Sequence, residues 1–390
     1  MLIDSKPMRN GKIITARLWT RFEGDIPSRT PVILGINPQK YETITIYLTK
    51  NSPNPNIFEQ KGKKVFYITK NPELGFFKLK VFFKLAKILK SEHVDILDCH
   101  KHKSIVYGTI AGKLAKVPII LAHVHGMGRS RNLRRKLLNH FVLPKVDKIL
   151  AVSEAVKDDI LQNNSSIPSD KVINLGNSID YAYFASSIHS KQTVRRKSGI
   201  PEGCFVFATA GRLAPTKDLQ YLIRAFAQAR KKINNTQLLI AGTGEMKNEF
   251  ENLVSKLGCS SAVHFLGHVD NMAEFYSMAD VFVLPSVAEG LPRTLTEAMA
   301  TGVLCIATDA SGMPEVLDNG ACGLLVPTKD TNALADAMLK AANMPQSQKE
   351  TIISSAKKHV KENYSHNVMI KKIEKIYETE VNWCYETDKR

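Results

Sequence analysis

"DVFVLPSVAEGLPRTLTEAMATG", residues 280–302, decides the fold. A β-branched and aromatic run ends at Pro285. Gly290 and Pro292 follow, and then a helix-forming run begins. Apolar residues over strand length, glycine and proline, and then helical spacing read as strand, loop and helix. The rhythm recurs on both sides. "CFVFATAGRL" (204–213) is a strand ending in a glycine turn. "KDLQYLIRAFAQARKKI" (217–233) places Leu219, Leu222, Ile223, Phe226 and Ala227 at helical spacing. "TQLLIAGTGE", "AVHFLGHV", "VLCIATD" and "GLLVP" are further strands, and "MKNEFENLVSKLG", "MAEFYSMA" and "NALADAMLKAAN" are helices. So many alternations imply a parallel sheet covered on both faces.

The N-terminal half repeats the pattern less cleanly. "PVILGIN" (31–37), "TITIYLT" (43–49), "KVFYITK" (64–70), "VDILDCH" (94–100) and "PIILAHVHG" (118–126) read as strands. "FFKLKVFFKLAKILKSE" (76–92), "SIVYGTIAGKLAKV" (104–117) and "EAVKDDILQNN" (154–164) read as helices. The chain of 390 residues suits two domains better than one core. The expected division is residues 1–185, a Ser-rich linker at 186–200, and residues 201–365. A tail helix over 366–390 then returns to the first domain. Two doubly wound α/β sheets would face each other across a cleft, with ligands at the C-terminal ends of the strands.

Six cysteines are scattered without a CxxC pair. That argues for reduced thiols in a cytoplasmic protein and against a zinc site. No run reaches the roughly 18 apolar residues of a membrane span, and the N-terminus lacks a secretory layout. Net charge is +17 and one-sided. Residues 1–190 carry 30 Lys/Arg against 15 Asp/Glu, and the remainder 24 against 22. Such a basic half attracts nucleic acid, anionic lipid or phosphorylated ligands. No zinc finger, ribonucleoprotein motif or aromatic-basic interleaving supports nucleic acid as the partner.

The opening stretch holds two acids, Glu289 in the loop and Glu297 in the helix, eight positions apart. At helical rise this spans roughly 12 Å, the reach from a sugar ring across a diphosphate to a ribose. Each carboxylate can accept two hydroxyl hydrogen bonds from a vicinal diol. The helix start between them offers free N–H groups and a positive dipole end to phosphate. The same spacing also describes a helix-start acid plus an unrelated surface glutamate. Arg212 and Lys217 sit in a strand-to-helix loop suited to gripping phosphates. Gly242 and Gly244 form a turn where backbone could approach a ligand, and "VHFLGHV", ending at Val269, offers an apolar platform for a base.

Taken in order, "GRLAPTKDLQYLIRAF" (211–226), "LLIAGTGE" (238–245), the whole of residues 263–317 and "GLLVP" resemble glycosyltransferase family 4. These are retaining enzymes of the GT-B fold, built from two Rossmann-like doubly wound domains facing across a cleft. The resemblance implies that Glu289 contacts the donor hexose and Glu297 the ribose. It implies that Arg212 and Lys217 hold the diphosphate, helped by amides around Gly290 and Leu291. No metal or other cofactor is implied, and the absence of a DxD cluster agrees. In the first half, "VDILDCHKHKSIVYGTIAGKLAKVPIILAHVHG" (94–126), "ILAVSEAVKDDI" (149–160) and "VINLGNSIDYAYF" (172–184) are similar to family segments. The match places His125 near the transferred sugar, with His123 as the alternative. It departs at "TARLWTRFEGDIPSRT" (15–30), where the family has a glycine-rich loop and this chain has only Gly24. Asp25, or Arg21 and Arg29, could face the site there instead.

The expected reaction moves a hexose with retention, from a UDP-sugar first and GDP-mannose as the alternative. The expected acceptor is a glycan or lipid-linked molecule of the bacterial cell envelope. "RSRNLRRK" (129–136) supplies Arg131, Arg134, Arg135 and Lys136 just beyond His125, a surface suited to an anionic leaflet. Lys80, Lys84 and Lys87 lie at helical spacing among phenylalanines, which fits either a membrane face or a core helix with a wet edge. A soluble sugar-phosphate synthase and a non-catalytic nucleotide-sugar binder are the competing readings.

Overall fold

Residues 11–22, 30–50, 52, 54–69, 78–126, 133–186 and 191–387 are described by the computed structural model. They divide into two units, residues 1–176 with 366–390, and residues 177–365.

Unit 1 is built on seven parallel strands. In chain order these are β1 (Ile13–Phe22), β2 (Tyr41–Lys50), β3 (Val65–Thr69), β4 (Ile96–His100), β5 (Ile119–Val124), β6 (Lys148–Ala151) and β7 (Val172–Asn174). Their order across the sheet is β3-β2-β1-β4-β5-β6-β7, so the winding reverses between β1 and β4. Alternate residues of a strand share a face. On one face Ile13, Ile96, Ile119 and Leu121 pack under Met369, Ile373, Tyr377 and Val381 of the helix His366–Thr387. The sequence then turns polar along that same face toward the strand ends. On the other face, Gly108 of the helix His102–Ala115 lies so close to Cys99 that an added Cβ would stand 2.2 Å from its Sγ. Glycine is what lets this helix sit against β4.

Unit 2 has six parallel strands: β8 (Phe205–Ala210), β9 (Thr236–Ala241), β10 (Val263–Gly267), β11 (Val281–Leu284), β12 (Leu304–Thr308) and β13 (Leu324–Val326). Their order is β10-β9-β8-β11-β12-β13, with the reversal between β8 and β11. The helix Leu219–Ala229 buries the expected stripe, including Leu222, Ile223 and Phe226, against Phe207, Leu238 and Ile240. Each such side chain contributes about 1.5–3 kcal/mol relative to exposure.

Several expectations are corrected. "PVILGIN" is not a strand; Thr30–Gly35 is a helix, and Ile33 packs on Trp19 and Phe22. The segment taken as a loop, "TARLWTRF", is instead most of β1, a central strand buried along nearly all its length. Its arginines disguised it. The boundary between units falls at Gly176/Asn177 rather than at 185. The expected linker carries a helix, Lys191–Lys197, fastened to unit 2 by Arg195. Arg195 donates to Met278 O at 2.9 Å and Cys204 O at 3.0 Å, and pairs with Asp280 at 2.7 Å.

Candidate active site

In unit 2 the two loops that leave the sheet at its reversal come from β8 and β11. Crevices outside the C-terminal ends of strands at such a point are where open α/β sheets bind ligands. The β8 loop carries Arg212, exposed, and Lys217, half-buried at the end of the 3-10 turn Pro215–Lys217. The β11 loop carries Glu289. The Lys217 ammonium is paired with the Glu289 carboxylate, and Ser286 Oγ donates to the same oxygen at 2.9 Å. Val287 N donates to Thr216 O at 3.1 Å and ties the loops together at backbone level. A pocket at this point is lined by Thr209, Gly211, Arg212, Lys217, Leu284 and Pro285. A cation, a carboxylate and a second exposed cation thus meet at the edge of a pocket.

Gly242 and Gly244 have a different task from the expected one. A Cβ on Gly242 would lie 1.9 Å from Gly211 O, and one on Gly244 2.2 Å from Leu213 O. Their lack of a side chain admits the protein's own 211–213 backbone, so they shape the cation-bearing loop from beneath. Gly290 is approached likewise, with its carbonyl 2.2 Å from the Cβ position of Gly312. Leu291 is buried, and Val269 lies half-buried in the loop beyond β10.

Glu297 sits inside the helix Arg293–Thr301 and is buried. Tyr276 Oη donates to one carboxylate oxygen at 2.9 Å and Arg293 Nη2 to the other at 2.8 Å. Burial raises the Glu297 carboxyl above its ordinary range, while Arg293 and Tyr276 act in the opposite direction. The two acids therefore differ. Glu289 belongs to the loop and its cation, whereas Glu297 is engaged by side chains of its own unit.

In unit 1 the C-terminal ends of β1, β4 and β5 gather a polar column. His125 follows β5 directly, and its Nε2 lies 3.3 Å from His100 Nδ1. His123 Nε2 lies 2.8 Å from Asp98 Oδ1, and Trp19 stacks on His100 at 3.8 Å. The sequence reading found His125 and His123 but missed Trp19, Asp98 and His100. The signal was present as D-x-H on β4 and R-x-W on β1, side chains that alternation puts on one face. Imidazole nitrogens of His100, His123 and His125 come within 4.8 Å of one another, as do ligand atoms of Asp318, Cys322 and His359 in unit 2. Cysteine spacing could disclose neither group, because folding rather than sequence proximity assembles them.

Asp25 and Arg131 lie outside the described residues, as does the Arg134 side chain; Arg135 and Lys136 are exposed on the helix Leu133–Val142.

Known proteins match this architecture. The model for glycosyl transferases group 1 matches residues 190–359, and that for glycosyltransferase family 4 matches residues 43–183. The fold is that of the GT-B glycosyltransferases. A glycosyltransferase from Rickettsia africae superposes with a TM-score of 0.80 at 20% identity, over 95% of this chain and 99% of that one. HepE of Anabaena in complex with UDP gives a TM-score of 0.78 at 20% identity, over 94% and 100%. The chain belongs to the family-4-like glycosyltransferases. Among its relatives, the Escherichia coli UDP-Gal:alpha-D-GlcNAc-diphosphoundecaprenol alpha-1,3-galactosyltransferase is 27% identical over 78% of this chain and 81% of that protein. The Staphylococcus aureus capsular polysaccharide biosynthesis glycosyltransferase CapM is 27% identical over 77% and 81%.

Proposed function

We propose that this glycosyltransferase moves a hexose, with retention, from a UDP-sugar to a lipid-linked or glycan acceptor in bacterial cell-envelope synthesis. The observation that carries the reading is the meeting of Lys217, Glu289 and the Arg212 loop at the β8/β11 reversal. Binding a donor would place its diphosphate by Arg212, Lys217 and the start of the helix Arg293–Thr301, and its hexose by Glu289. Glu297, reached through Tyr276 and Arg293, would bound the ribose. The UDP-galactose-dependent relative and UDP-bound HepE support a uridine donor. In the transfer, the anomeric carbon–phosphate oxygen bond breaks and the acceptor oxygen bonds on the same face. The acceptor proton passes to the departing phosphate oxygen. The protein supplies position and positive charge, and no divalent cation is required. His125 is the unit 1 group assigned to the transferred sugar.

The acceptor side is proposed to meet an anionic membrane leaflet on its cytoplasmic face. No helix among the described residues is long and apolar enough to cross a membrane. The helix Leu79–Ser91 buries Val81, Phe82, Leu85 and Leu89, yet leaves Leu79 and Phe83 exposed beside Lys80, Lys84 and Lys87. Leu137 and Phe141 are exposed beside Arg135 and Lys136 on Leu133–Val142. Both helices pack on His102–Ala115, which exposes Leu114. Apolar residues interleaved with cations favour an anionic interface. Melting the protein with UDP-glucose, UDP-galactose, UDP-N-acetylglucosamine and GDP-mannose tests the donor. Ligand at 100 times its Kd stabilises by about 2.7 kcal/mol, and no stabilisation by any uridine nucleotide would contradict the reading.

A further inference from the structure

The polar column of unit 1 continues into the C-terminal helix. Tyr377 Oη donates to Asp98 Oδ2 at 3.0 Å and accepts from Arg17 Nη2 at 3.4 Å. Arg17 Nε stands 3.7 Å from the same carboxylate oxygen. Arg17, Asp98 and Tyr377 are all buried. The other oxygen, Oδ1, faces the histidines: His123 Nε2 at 2.8 Å and His100 Nε2 at 3.5 Å. These are charge contacts rather than aligned hydrogen bonds. Trp19, stacked within 9° of parallel, holds the His100 ring.

Burying an isolated carboxylate is costly, so a wholly buried one must be paired. Burial opposes the charge of Asp98, yet the His123 and His100 imidazoles outweigh it and hold the carboxyl well below its usual range. Burial also drives His100 well below the ordinary histidine range, and His123 pushes the same way. Asp98 is thus an anion and His100 a neutral ring. A neutral imidazole carries one proton, and the partner of one nitrogen decides where it sits. With Oδ1 facing Nε2, the proton of His100 belongs on Nε2 and its Nδ1 is an acceptor. The group 3.3 Å from that Nδ1 is His125 Nε2, which must then be the donor. His125 is left with Nδ1 as its acceptor atom.

We propose that Tyr377, Asp98 and His100 form a positioning relay that fixes His125 in its Nε2–H form, so that Nδ1 accepts a hydrogen bond from a hydroxyl of the transferred sugar. The proposal rests on the assignment of His125 to the sugar site. The residues of the relay act through His125 and touch no substrate themselves. Its far end is on the helix His366–Thr387, so the chain's return to unit 1 supplies more than apolar cover: one hydroxyl orients the acid.

The test is long-range proton–nitrogen spectroscopy of the full chain labelled with nitrogen-15 histidine, with His100→Gln and His125→Gln assigning the signals. The parent should show His100 and His125 as Nε2–H tautomers without any ligand. Asp98→Asn presents an amide that can donate to His100 Nε2, and should reverse both tautomers. Turnover of UDP-galactose should then fall in kcat by about 10–100-fold, the usual cost of losing a group that orients a functional imidazole, with the donor KM near parental. Tyr377→Phe removes only the hydroxyl. It should move kcat in the same direction by less, at an unchanged melting temperature. Parental tautomers and parental kcat in folded Asp98→Asn and Tyr377→Phe would overturn the relay. So would losses of kcat that merely follow loss of folded protein. If His125→Gln turns over at the parental rate, the sugar-site assignment is what fails, and the histidine spectra still judge the relay.

Discussion

The loops at the β8/β11 reversal and the column at the β1/β4 reversal occupy the same topological place in their units but solve opposite problems. The first is open and ionic. Arg212 is exposed, and Lys217 is paired with an acid on the neighbouring loop. The second is closed. Asp98, Arg17, His100 and His123 are buried, and each stands against another polar group or a flat ring. Exposed cations at a strand edge suit a ligand that brings its own charge. A buried acid, neutral imidazoles and a tyrosine suit the orientation of hydroxyls. One molecule thus divides charge stabilisation and orientation between its two sheets.

Lys217→Ala should break the comparison most sharply. Removing a preorganised cation from a developing anion costs on the order of 10²–10³ in kcat. Because Lys217 lies in a loop, the melting temperature should change little. Parental turnover in Lys217→Ala, or in Arg212→Ala, would assign the charge work elsewhere. Activity should also survive exhaustive chelation, and recovery only on adding magnesium or manganese would contradict a reaction without a divalent cation.

Glu297→Ala sharpens the contrast within unit 2. A lost hydrogen bond to a charged group is worth about 1.5–3 kcal/mol, and UDP affinity in calorimetry should fall accordingly if Glu297 bounds the ribose. A lowered melting temperature at unchanged UDP affinity would show that its work is confined to Tyr276 and Arg293.

Neutralising Arg135 and Lys136 should weaken sedimentation with anionic vesicles by roughly 30-fold, at about 1 kcal/mol for each cation near the leaflet. Raising the salt should mimic this in the parent protein. UDP binding should stay parental. Equal binding to neutral and anionic vesicles would separate the basic surface from any membrane and favour a soluble acceptor.

The smallest effect expected is a pH dependence of stability. Folding holds both Asp98 and His100 below their ordinary values, so the unfolded chain binds protons that the folded chain does not. Stability therefore falls with pH. His100 contributes as pH drops below about 6.5, and Asp98 below about 3.9. Asp98→Asn should flatten the acid limb of a melting-temperature profile, and an identical profile would show that the column does not titrate on unfolding.

Unit 2 was readable because its strands are apolar and its loops carry glycine, proline and charge in the order the fold needs. Lys217 and Glu289 were found because each follows a clear strand. Unit 1 hid β1 because Arg17 and Arg21 interrupt its apolar pattern, although Arg17 is buried against Asp98 and Tyr377. An arginine that finds its partner only in the fold reads as a loop residue. Tyr377 was equally hidden, since its partner lies 279 positions away. Gly242 and Gly244 were recognised as sites of close approach, but the approaching group proved to be backbone of the same unit. A glycine announces crowding without naming what crowds it.

Hydrogen exchange of the full chain, with and without saturating UDP, tests most directly the claim that unit 2 holds the charged donor. Amides of residues 211–218 and 286–297 should exchange more slowly with UDP, while β4 and β5 remain unchanged. Protection confined to β4 and β5, or no protection anywhere at saturating UDP, would contradict the division of labour between the two sheets.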